Sequence, residues 1–481
     1  MEGIEKELDR EALIALVLEL REENARLRRR IEQLERQGPT RRLKDAYSLR
    51  AEEQRREQAA DSGRKKKRRR QKSPRRGRRK TDEKLDQAER TEVLCPDGFA
   101  IDECQLHRRR PVWRIENGGA VRVAYDIYRG PQGQLPEIDG VLPRSEYGLE
   151  IHVSVAFLAL IIGLSMDKVC ALLSFFWKLE LSKSQADALL SQLCRAWEQE
   201  FESLCQLLAV STVVHADETS WSIHSVWALL SEQARLLVFG CRKDAQTLEV
   251  VLPKETFAGI LVSDDAAVYR GFSTSQKCWA HLLRKAIRLT LLEPEGAEYR
   301  RFLDGLLEVY RRACRFAADR RLGEAGRQQK VDELTDRMCE LCGGRFSDER
   351  VPTDEAERDF VNLVHELVRL LGDDELFTFV RHPAASGTNN EAERTLRGPA
   401  MDRRTGRTSK TPRGARRRTV LVSVLESLRL HLAEFTLPGV LQETRTWSTA
   451  GSSLFERLAR SSGLAPPETP ALANLLPSAA T

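Results

Sequence analysis

The chain has 481 residues, 41% of them hydrophobic, so it is long enough to bury several cores. Its longest apolar stretch, residues 153 to 166, is too short to cross a bilayer, and its charged, acidic N-terminus is unlike a signal peptide; we therefore expect a cytoplasmic protein without a membrane partner. Ten scattered cysteines form no disulfide framework, which suits a reducing compartment.

The net charge of +6 comes from one short segment of the chain. Residues 64 to 80 carry thirteen positive and no negative side chains, so the rest of the chain has a net charge of −7. Such a dense block cannot fold on itself and would bind a polyanion by releasing counterions, which indicates nucleic acid as the partner. The alternatives are a solvated tail or an import signal in a nucleated cell.

A heptad repeat occupies residues 1 to 37. Its seam has leucine at every d position, with β-branched residues and one asparagine at a: Leu13, Val17, Leu20, Asn24, Leu27, Ile31 and Leu34. This pattern favours a parallel two-stranded coiled coil, in which Asn24 fixes the register. We expect a homodimer or a higher assembly through this segment; the alternative is an amphipathic helix that docks on its own domain.

The segments that follow are polar and then β-rich. Residues 38 to 90 are charged and poor in aromatic residues, which predicts a disordered basic linker. The next segment contains Cys95, Cys104 and His107 and one clear strand over residues 121 to 128. A zinc ribbon would require paired CxxC motifs, which are absent, so zinc is not expected there.

From residue 150 the pattern becomes helical. The pattern predicts three short helices with apolar faces, and a serine can cap the start of the third. Together they would form either a helix-turn-helix that reads DNA or a plain helical spacer.

The apolar runs after residue 206 alternate as strand, strand, strand, helix, strand. Asp217 closes the first strand and Asp264 closes the last. In a sheet of this order the two strands would be neighbours, so their ends would bring both carboxylates within reach of one cation. A structural role at a strand end is the alternative for either aspartate taken alone.

A third carboxylate follows Asn389 and Asn390, which can cap a helix. Glu391 and Glu393 point to different faces of that helix, so only one of them joins the aspartates easily. Three carboxylates repel one another unless divalent cations neutralise them, which predicts a two-ion Mg²⁺ or Mn²⁺ site for phosphodiester chemistry.

Four ordered motifs within about residues 150 to 447 resemble those of DDE transposases, most closely the insertion sequence 66 family: HADETSW, SDDAAVY, KCWAHLLRK and TNNEAERTLR. The resemblance implies a ribonuclease-H-like catalytic domain and assigns Asp217, Asp264 and Glu393 as the catalytic, metal-binding triad. Asp265 lies where relatives often have glycine, so Asp264 is preferred and Asp265 remains the alternative. The family's N-terminal zinc-binding segment is degenerate here.

The fold class expected is therefore multidomain α/β, with a mixed ribonuclease-H-like sheet that carries a helical insertion. The predicted domains are a coiled coil (1–37), a basic disordered linker (38–90), a degenerate zinc-ribbon-like segment (91–149), a helical, helix-turn-helix or spacer region (150–205), the catalytic core (206–281 and 382–447), the helical insertion (282–381) and a C-terminal tail (448–481).

Two further features are candidates for contact with DNA or metal. Cys278 and His281 form a CxxH spacing that could pair with the CxxC of Cys339 and Cys342 in a zinc site, although core positions are the commoner role for such residues. Trp279 would pack in the core or stack on a displaced base.

A basic strip follows Glu393, and beside a metal site it would hold phosphates; a solvated basic face is the alternative. With His281 and Trp279, the DNA-binding candidates are Arg394, Arg397, Arg403, Arg404, Arg407, Lys410, Arg413, Arg416, Arg417 and Arg418.

We thus expect a DNA transposase that binds element ends, hydrolyses a terminal phosphodiester and joins the freed 3′-hydroxyl to target DNA, with or without accessory proteins of the same element. The rivals are a ribonuclease-H-like nuclease without strand transfer and a non-enzymatic DNA-binding regulator. A regulator of the basic-zipper type has its basic region before the zipper on one continuous helix, whereas here the order is reversed and Gly38-Pro39 intervenes.

Overall fold

The computed structural model describes residues 76–346, 352, 354–464 and 470–476. The predicted coiled coil and most of the basic block lie outside these residues. The described chain is mixed α/β, with one three-stranded and one five-stranded sheet. No described helix is both long and apolar enough to cross a membrane.

Helix α1 (Arg76–Asp86) and a small sheet come first. The strands β1 (Arg90–Leu94), β2 (Gln105–Glu116) and β3 (Gly119–Arg129) are ordered β1-β3-β2. The turn between β2 and β3 has positive φ at Asn117 and Gly118, the pair that a tight hairpin turn prefers. The predicted strand over residues 121 to 128 lies within β3. Residues 76–86 of the expected linker (38–90) are helical: α1 packs on β2, and Lys84 forms an ion pair with Glu146.

Four helices follow, one more than the three predicted. They are α2 (Leu149–Ala156), which continues into a π-helical turn (Phe157–Ile161), α3 (Met166–Trp177), α4 (Lys183–Ala196) and α5 (Glu198–Ala209). Ser182 and Gln185 form a capping box at the start of α4, which is the serine cap expected from the sequence. The apolar faces of these helices share one core with the five-stranded sheet.

The five-stranded sheet has the order β6-β5-β4-β7-β8. Its strands are β4 (Val213–Ser220), β5 (Ser225–Leu230), β6 (Arg235–Cys241), β7 (Ile260–Ser263) and β8 (Ser275–Lys277), and the short helix α6 (Ala245–Glu249) precedes β7. β4, β5 and β6 are successively antiparallel, whereas β7 is parallel to β4 and β8 is parallel to β7. The predicted pairing of the two aspartate-bearing strands is confirmed.

β4 extends beyond its predicted end at Asp217. The parallel ladder with β7 stops at His215, but the antiparallel ladder with β5 continues to Ser220. Asp217 is therefore held within a strand, at the point where the neighbouring strand β7 ends.

A helical insertion separates β8 from the remaining elements. It comprises α7 (Trp279–Leu292), α8 (Ala297–Ala318), α9 (Glu324–Phe346), α10 (Glu355–Gly372) and α11 (Thr378–Arg381). The helices bury a separate core around residues such as Leu306, Leu334 and Leu367, each fully buried. The described residues between the second and third carboxylates are thus mainly helical.

Helices cover the sheet after the insertion: α12 (Asn390–Arg404), α13 (Pro412–His431), α14 (Leu437–Ala450), α15 (Leu454–Ser461) and α16 (Ala471–Leu475). Three α13 hydroxyls at four-residue spacing, those of Thr419, Ser423 and Ser427, accept hydrogen bonds from alternate N–H groups of β6 at 2.9–3.0 Å. Because β6 is the edge strand, these hydroxyls satisfy donors that would otherwise invite another strand to pair.

Candidate active site

Two aspartates lie at matching positions on neighbouring strands. In the parallel ladder His215 pairs with Val262, and Asp217 and Asp264 each lie two residues further along the chain. Neighbouring strands are about 4.8 Å apart, so this register places the two carboxylates side by side. The backbone N–H of Glu218 donates to Asp217 Oδ1 at 2.9 Å, and that of Ala266 donates to Asp264 Oδ1 at 3.0 Å. These bonds orient both carboxylates.

The environment of Asp217 disfavours its charged form. Burial raises its pKa to about 7, and the negative charges of Glu218, Asp264 and Glu393 add to the rise. The same interactions place Asp264 and Glu393 within electrostatic reach of Asp217. Among the described residues Asp217 forms no ion pair, although its charge contributes to the raised pKa of Lys243.

Asn389 joins α12, the helix that carries Glu391 and Glu393, to the five-stranded sheet. Its side chain donates to the Ala216 carbonyl at 2.7 Å and accepts from His215 Nδ1 at 3.2 Å, which is the pairing that fits a protonated Nδ1. Asn389 is the N-cap residue of α12, as predicted, but its side chain makes no capping hydrogen bond because it is engaged with β4. The first turn of α12 is consequently fixed beside Asp217.

The two glutamates of that turn face opposite directions. Glu391 pairs with Arg235 of the edge strand β6 at 2.9 Å. Glu393 instead accepts from Arg284 of α7 through both oxygens, at 3.1 and 2.9 Å, and it contributes to the raised pKa of Asp217. Of the two, Glu393 is the glutamate whose charge acts on Asp217.

Cys278 and His281 lie next to Glu393, at the start of α7. One ligand atom from each of the three residues lies within 4.8 Å of the others. The zinc site considered from the sequence, which combined this CxxH with Cys339 and Cys342, does not form among the described residues; core positions were the commoner role expected. Cys342 is buried in the core of the insertion and Cys339 is exposed on α9, so their helix directs them elsewhere.

Cys95, Cys104 and His107 likewise form no three-ligand metal group with one another in the described part of the chain. Cys95 and Cys104 are neighbours, and burial together with Cys95 raises the pKa of the Cys104 thiol.

A second buried acid, Glu218, lies beside Asp217 and was not singled out from the sequence. Its carboxylate accepts from the Tyr269 hydroxyl and forms an ion pair with Lys243, and only 2% of its side chain is exposed. Burial and the Glu218 charge raise the pKa of the fully buried Tyr269. The adjacency of Asp217 and Glu218 was the available signal, but nothing local in the sequence identifies Tyr269 or Lys243 as partners.

A cavity of about 430 Å³ opens beside Asp264. Asp265, the alternative second aspartate, faces it and forms an ion pair with Arg369 of α10. The buried Lys277 also lines the cavity; burial lowers its pKa, while Glu375 and Asp265 oppose that effect. Asp265 is thus neutralised by the insertion, whereas Asp264 is free of such a pair among the described residues.

The predicted basic strip divides into exposed and internal residues. Arg416 pairs with Glu198 at 3.1 Å, Arg417 pairs with Asp187 at 2.6 Å, and the buried Arg418 pairs with Asp402 beneath two aromatic rings. These three arginines join α13 to its neighbours. The exposed members are Arg394, Arg397, Arg403, Arg404, Arg407, Lys410 and Arg413.

Trp279 packs in the core of the insertion. Its ring is fully buried and stacks on Tyr310 with the centroids 5.2 Å apart, and its Nε1–H donates to the Leu376 carbonyl at 2.8 Å. Core packing and base stacking were the two roles considered from the sequence. The structure shows core packing, because neither face of the buried ring is open to a base. His281 is half-buried on the same helix, with 36% of its side chain exposed.

No curated protein is significantly similar to the chain. A family model described as Transposase IS66 family matches residues 144–417, which is more than half of the sequence and includes Asp217, Asp264 and Glu393. The match is continuous from the helical region through the five-stranded sheet and the insertion to α12. It therefore confirms the family that the four separate motifs indicated. The chain belongs to the IS66 family of transposases.

Proposed function

We propose that this transposase is a DDE-type enzyme that cleaves DNA at the ends of its element and transfers the freed strand to a target. The observation that carries the proposal is the convergence of Asp217, Asp264 and Glu393 from two parallel strands and one helix. Residues at matching ends of neighbouring strands are a common place for a catalytic site in α/β folds.

The sheet supports a ribonuclease-H-like core. Three antiparallel strands are followed by two parallel ones on the other side of β4, so the first strand of the chain segment becomes the centre of the sheet. The insertion then enters after β8 and leaves before α12. This arrangement supports a division of the catalytic core into residues 206–281 and 382–447, around an insertion at 282–381.

The donor atoms fit two hard divalent ions, Mg²⁺ or Mn²⁺. All three residues offer carboxylate oxygens, the ligands that these ions prefer. The pKa of about 7 at Asp217 reflects burial and then repulsion by neighbouring carboxylates, and a bound cation would offset the cost of the buried negative charge. When bound, the ions would activate the attacking oxygen and stabilise the leaving one.

The protein's own residues prepare this arrangement. Asn389 fixes the start of α12 against β4, and Arg284 holds the Glu393 carboxylate through both oxygens. Glu218 is held in place by Tyr269 and Lys243, and its charge contributes to the raised pKa of Asp217. A cation that enters the site is therefore attracted by fixed charges that require little rearrangement.

DNA contact is proposed for the exposed basic residues close to the site. Arg394 and Arg397 lie on α12 itself, one and four residues beyond Glu393, and the remaining exposed members extend from its C-terminal end. Their charges would bind phosphates. Pairing of two chains through residues 1–37 would bring two element ends together, and accessory proteins of the same element would act on this assembly.

A nuclease that cleaves without joining is the nearest second candidate, because the same triad supports both reactions. The experiment measures metal-dependent cleavage of an element end and its joining to target DNA by the wild-type protein and by the Glu393→Gln variant. We expect both reactions to be lost in the variant, with DNA binding nearly intact, because Glu393 holds cations and not phosphate.

Glu391→Gln is the matched control, since it removes an equal charge from the same helical turn but from the side that faces Arg235. This control should retain cleavage. Loss of cleavage in Glu391→Gln with retention in Glu393→Gln would transfer the third ligand to Glu391. Cleavage without joining by the wild-type protein would favour the nuclease.

A further inference from the structure

The first turns of α7 and α12 bring together a thiol, an imidazole and a carboxylate. We infer that Cys278, His281 and Glu393 bind a zinc-class transition-metal ion, and that this ion competes with the catalytic ions for Glu393. The binding site itself stands on geometry alone, whereas the competition rests on the proposed function of Glu393.

The distances suit a small tetrahedral ion. His281 Nδ1 and Glu393 Oε1 are 3.6 Å apart. Two ligands each about 2.0–2.1 Å from a tetrahedral zinc are separated by about 3.3 Å, so a small side-chain movement closes the site. The Cys278 sulfur completes a group whose ligand atoms all lie within 4.8 Å of one another.

One ligand atom in this cluster lacks a hydrogen bond. His281 Nδ1 is shielded from solvent and has no hydrogen-bond partner among the described residues. A shielded imidazole nitrogen without a partner costs free energy, and a metal–nitrogen bond would remove that cost. This feature is independent of the spacing of the three residues and indicates a ligand at the same point.

Burial raises the pKa of the free Cys278 thiol, but backbone N–H groups around the sulfur would stabilise a thiolate once a metal ion is bound. The backbone N–H of Asn389 donates to Cys278 Sγ at 3.2 Å, and the N–H groups of Ala280 and His281 also interact with it. On binding, the thiol S–H bond breaks, the sulfur electron pair forms the bond to the metal, and the proton passes to solvent. Sulfur and imidazole ligands select zinc-class ions, whereas Mg²⁺ prefers oxygen.

Sharing of Glu393 links this site to the aspartates. In the structure Arg284 of α7 donates to both Glu393 oxygens. An ion at Cys278 and His281 would replace one of these contacts and keep the carboxylate on the α7 side. A Glu393 oxygen bound to this ion would not be available to ions at Asp217 and Asp264, so zinc would inhibit a reaction that Mg²⁺ supports.

The first test titrates the full-length, reduced protein with Co²⁺ and follows the sulfur-to-cobalt charge-transfer absorption. We expect one equivalent to produce this band, which should be lost in both Cys278→Ser and His281→Ala. Cys339→Ser is the matched control, because Cys339 is an exposed cysteine outside the cluster, and it should retain the band. Absence of the band in the wild-type protein, or its persistence in Cys278→Ser, would overturn the site.

The second test adds Zn²⁺ to the Mg²⁺-dependent cleavage reaction, with each protein compared with its own zinc-free rate. We expect at least tenfold inhibition of the wild type and of Cys339→Ser, and weak inhibition of His281→Ala. Cobalt binding at Cys278 with unaffected cleavage would overturn the competition. If no Mg²⁺-dependent cleavage occurs at all, the proposed function fails, while the cobalt titration still decides the site.

Discussion

Replacing Asp217 with asparagine should inactivate the enzyme and yet stabilise the metal-free protein. The substitution keeps the size of the side chain and an oxygen that can accept from the Glu218 N–H, but it removes the negative charge. Glu218, Asp264 and Glu393 all repel that charge, and burial adds to its cost. The stability gain would therefore identify a residue retained for function and not for folding.

The magnitude follows from the pKa of Asp217, which is raised from 3.8 to about 7. At about 1.4 kcal/mol per pH unit, the full shift corresponds to about 4 kcal/mol of unfavourable free energy above pH 7. Partial access of solvent to the side chain reduces this cost, so we expect the variant to gain about 2 kcal/mol at pH 8.

The pH dependence has a defined sign. Between about pH 4 and pH 7 the folded protein keeps a proton on Asp217 that the unfolded chain has released. Native stability should therefore fall as the pH rises through this window, and the Asp217→Asn variant should lack this contribution. Below about pH 4 both states are protonated at Asp217, so the advantage of the variant should disappear.

The assay is urea unfolding of both proteins in EDTA at several pH values, repeated with Mg²⁺. Asp265→Asn is the matched control: Asp265 belongs to the same site but pairs with Arg369, so its substitution should destabilise the protein. Mg²⁺ should stabilise the wild type more than Asp217→Asn, because a ligand that binds only the folded state raises its stability. Lower stability of Asp217→Asn in EDTA at pH 8 would refute this account of the site.

Three further predictions concern DNA binding, packing and assembly. Deletion of residues 64–80 should weaken binding to all DNA sequences about equally and reduce the salt dependence of the affinity; a loss of end discrimination at unchanged affinity would contradict this. Arg418→Leu should lower the free energy of unfolding by about 3 kcal/mol because it leaves Asp402 buried without its partner, whereas Arg404→Leu should weaken DNA binding with little effect on urea unfolding. Leu20→Pro should abolish self-association through the N-terminal segment in sedimentation experiments, and normal pairing of DNA ends by that variant would oppose the coiled-coil hypothesis.

The sequence alone predicted the order of the central strands and the position of both aspartates. Apolar runs of strand length, separated by turns and one helix, led to the neighbouring parallel pair of β4 and β7, which the structure contains. This prediction succeeded because strand periodicity and connection rules are local properties of the chain. The predicted end of β4, at Asp217, was three residues too early, because pairing with β5 continues to Ser220.

The sequence also limited the third carboxylate to two glutamates, since residues two apart on a helix face different directions. The preference for Glu393 came from family resemblance. The fold supplies a physical reason for that preference: Glu391 faces Arg235, 156 residues away in sequence, and Glu393 faces Arg284, 109 residues away.

Tertiary structure alone decided which basic and sulfur-containing side chains are available. Arg404 and Arg418 are both arginines of the basic strip and look alike in the sequence. In the structure Arg404 is exposed, whereas Arg418 is buried against Asp402. Cys278 meets Glu393 and not the CxxC of α9, because the insertion helices direct that pair elsewhere. Such choices depend on contacts between segments far apart in the chain, and a single sequence specifies those contacts only through the packing of the whole fold.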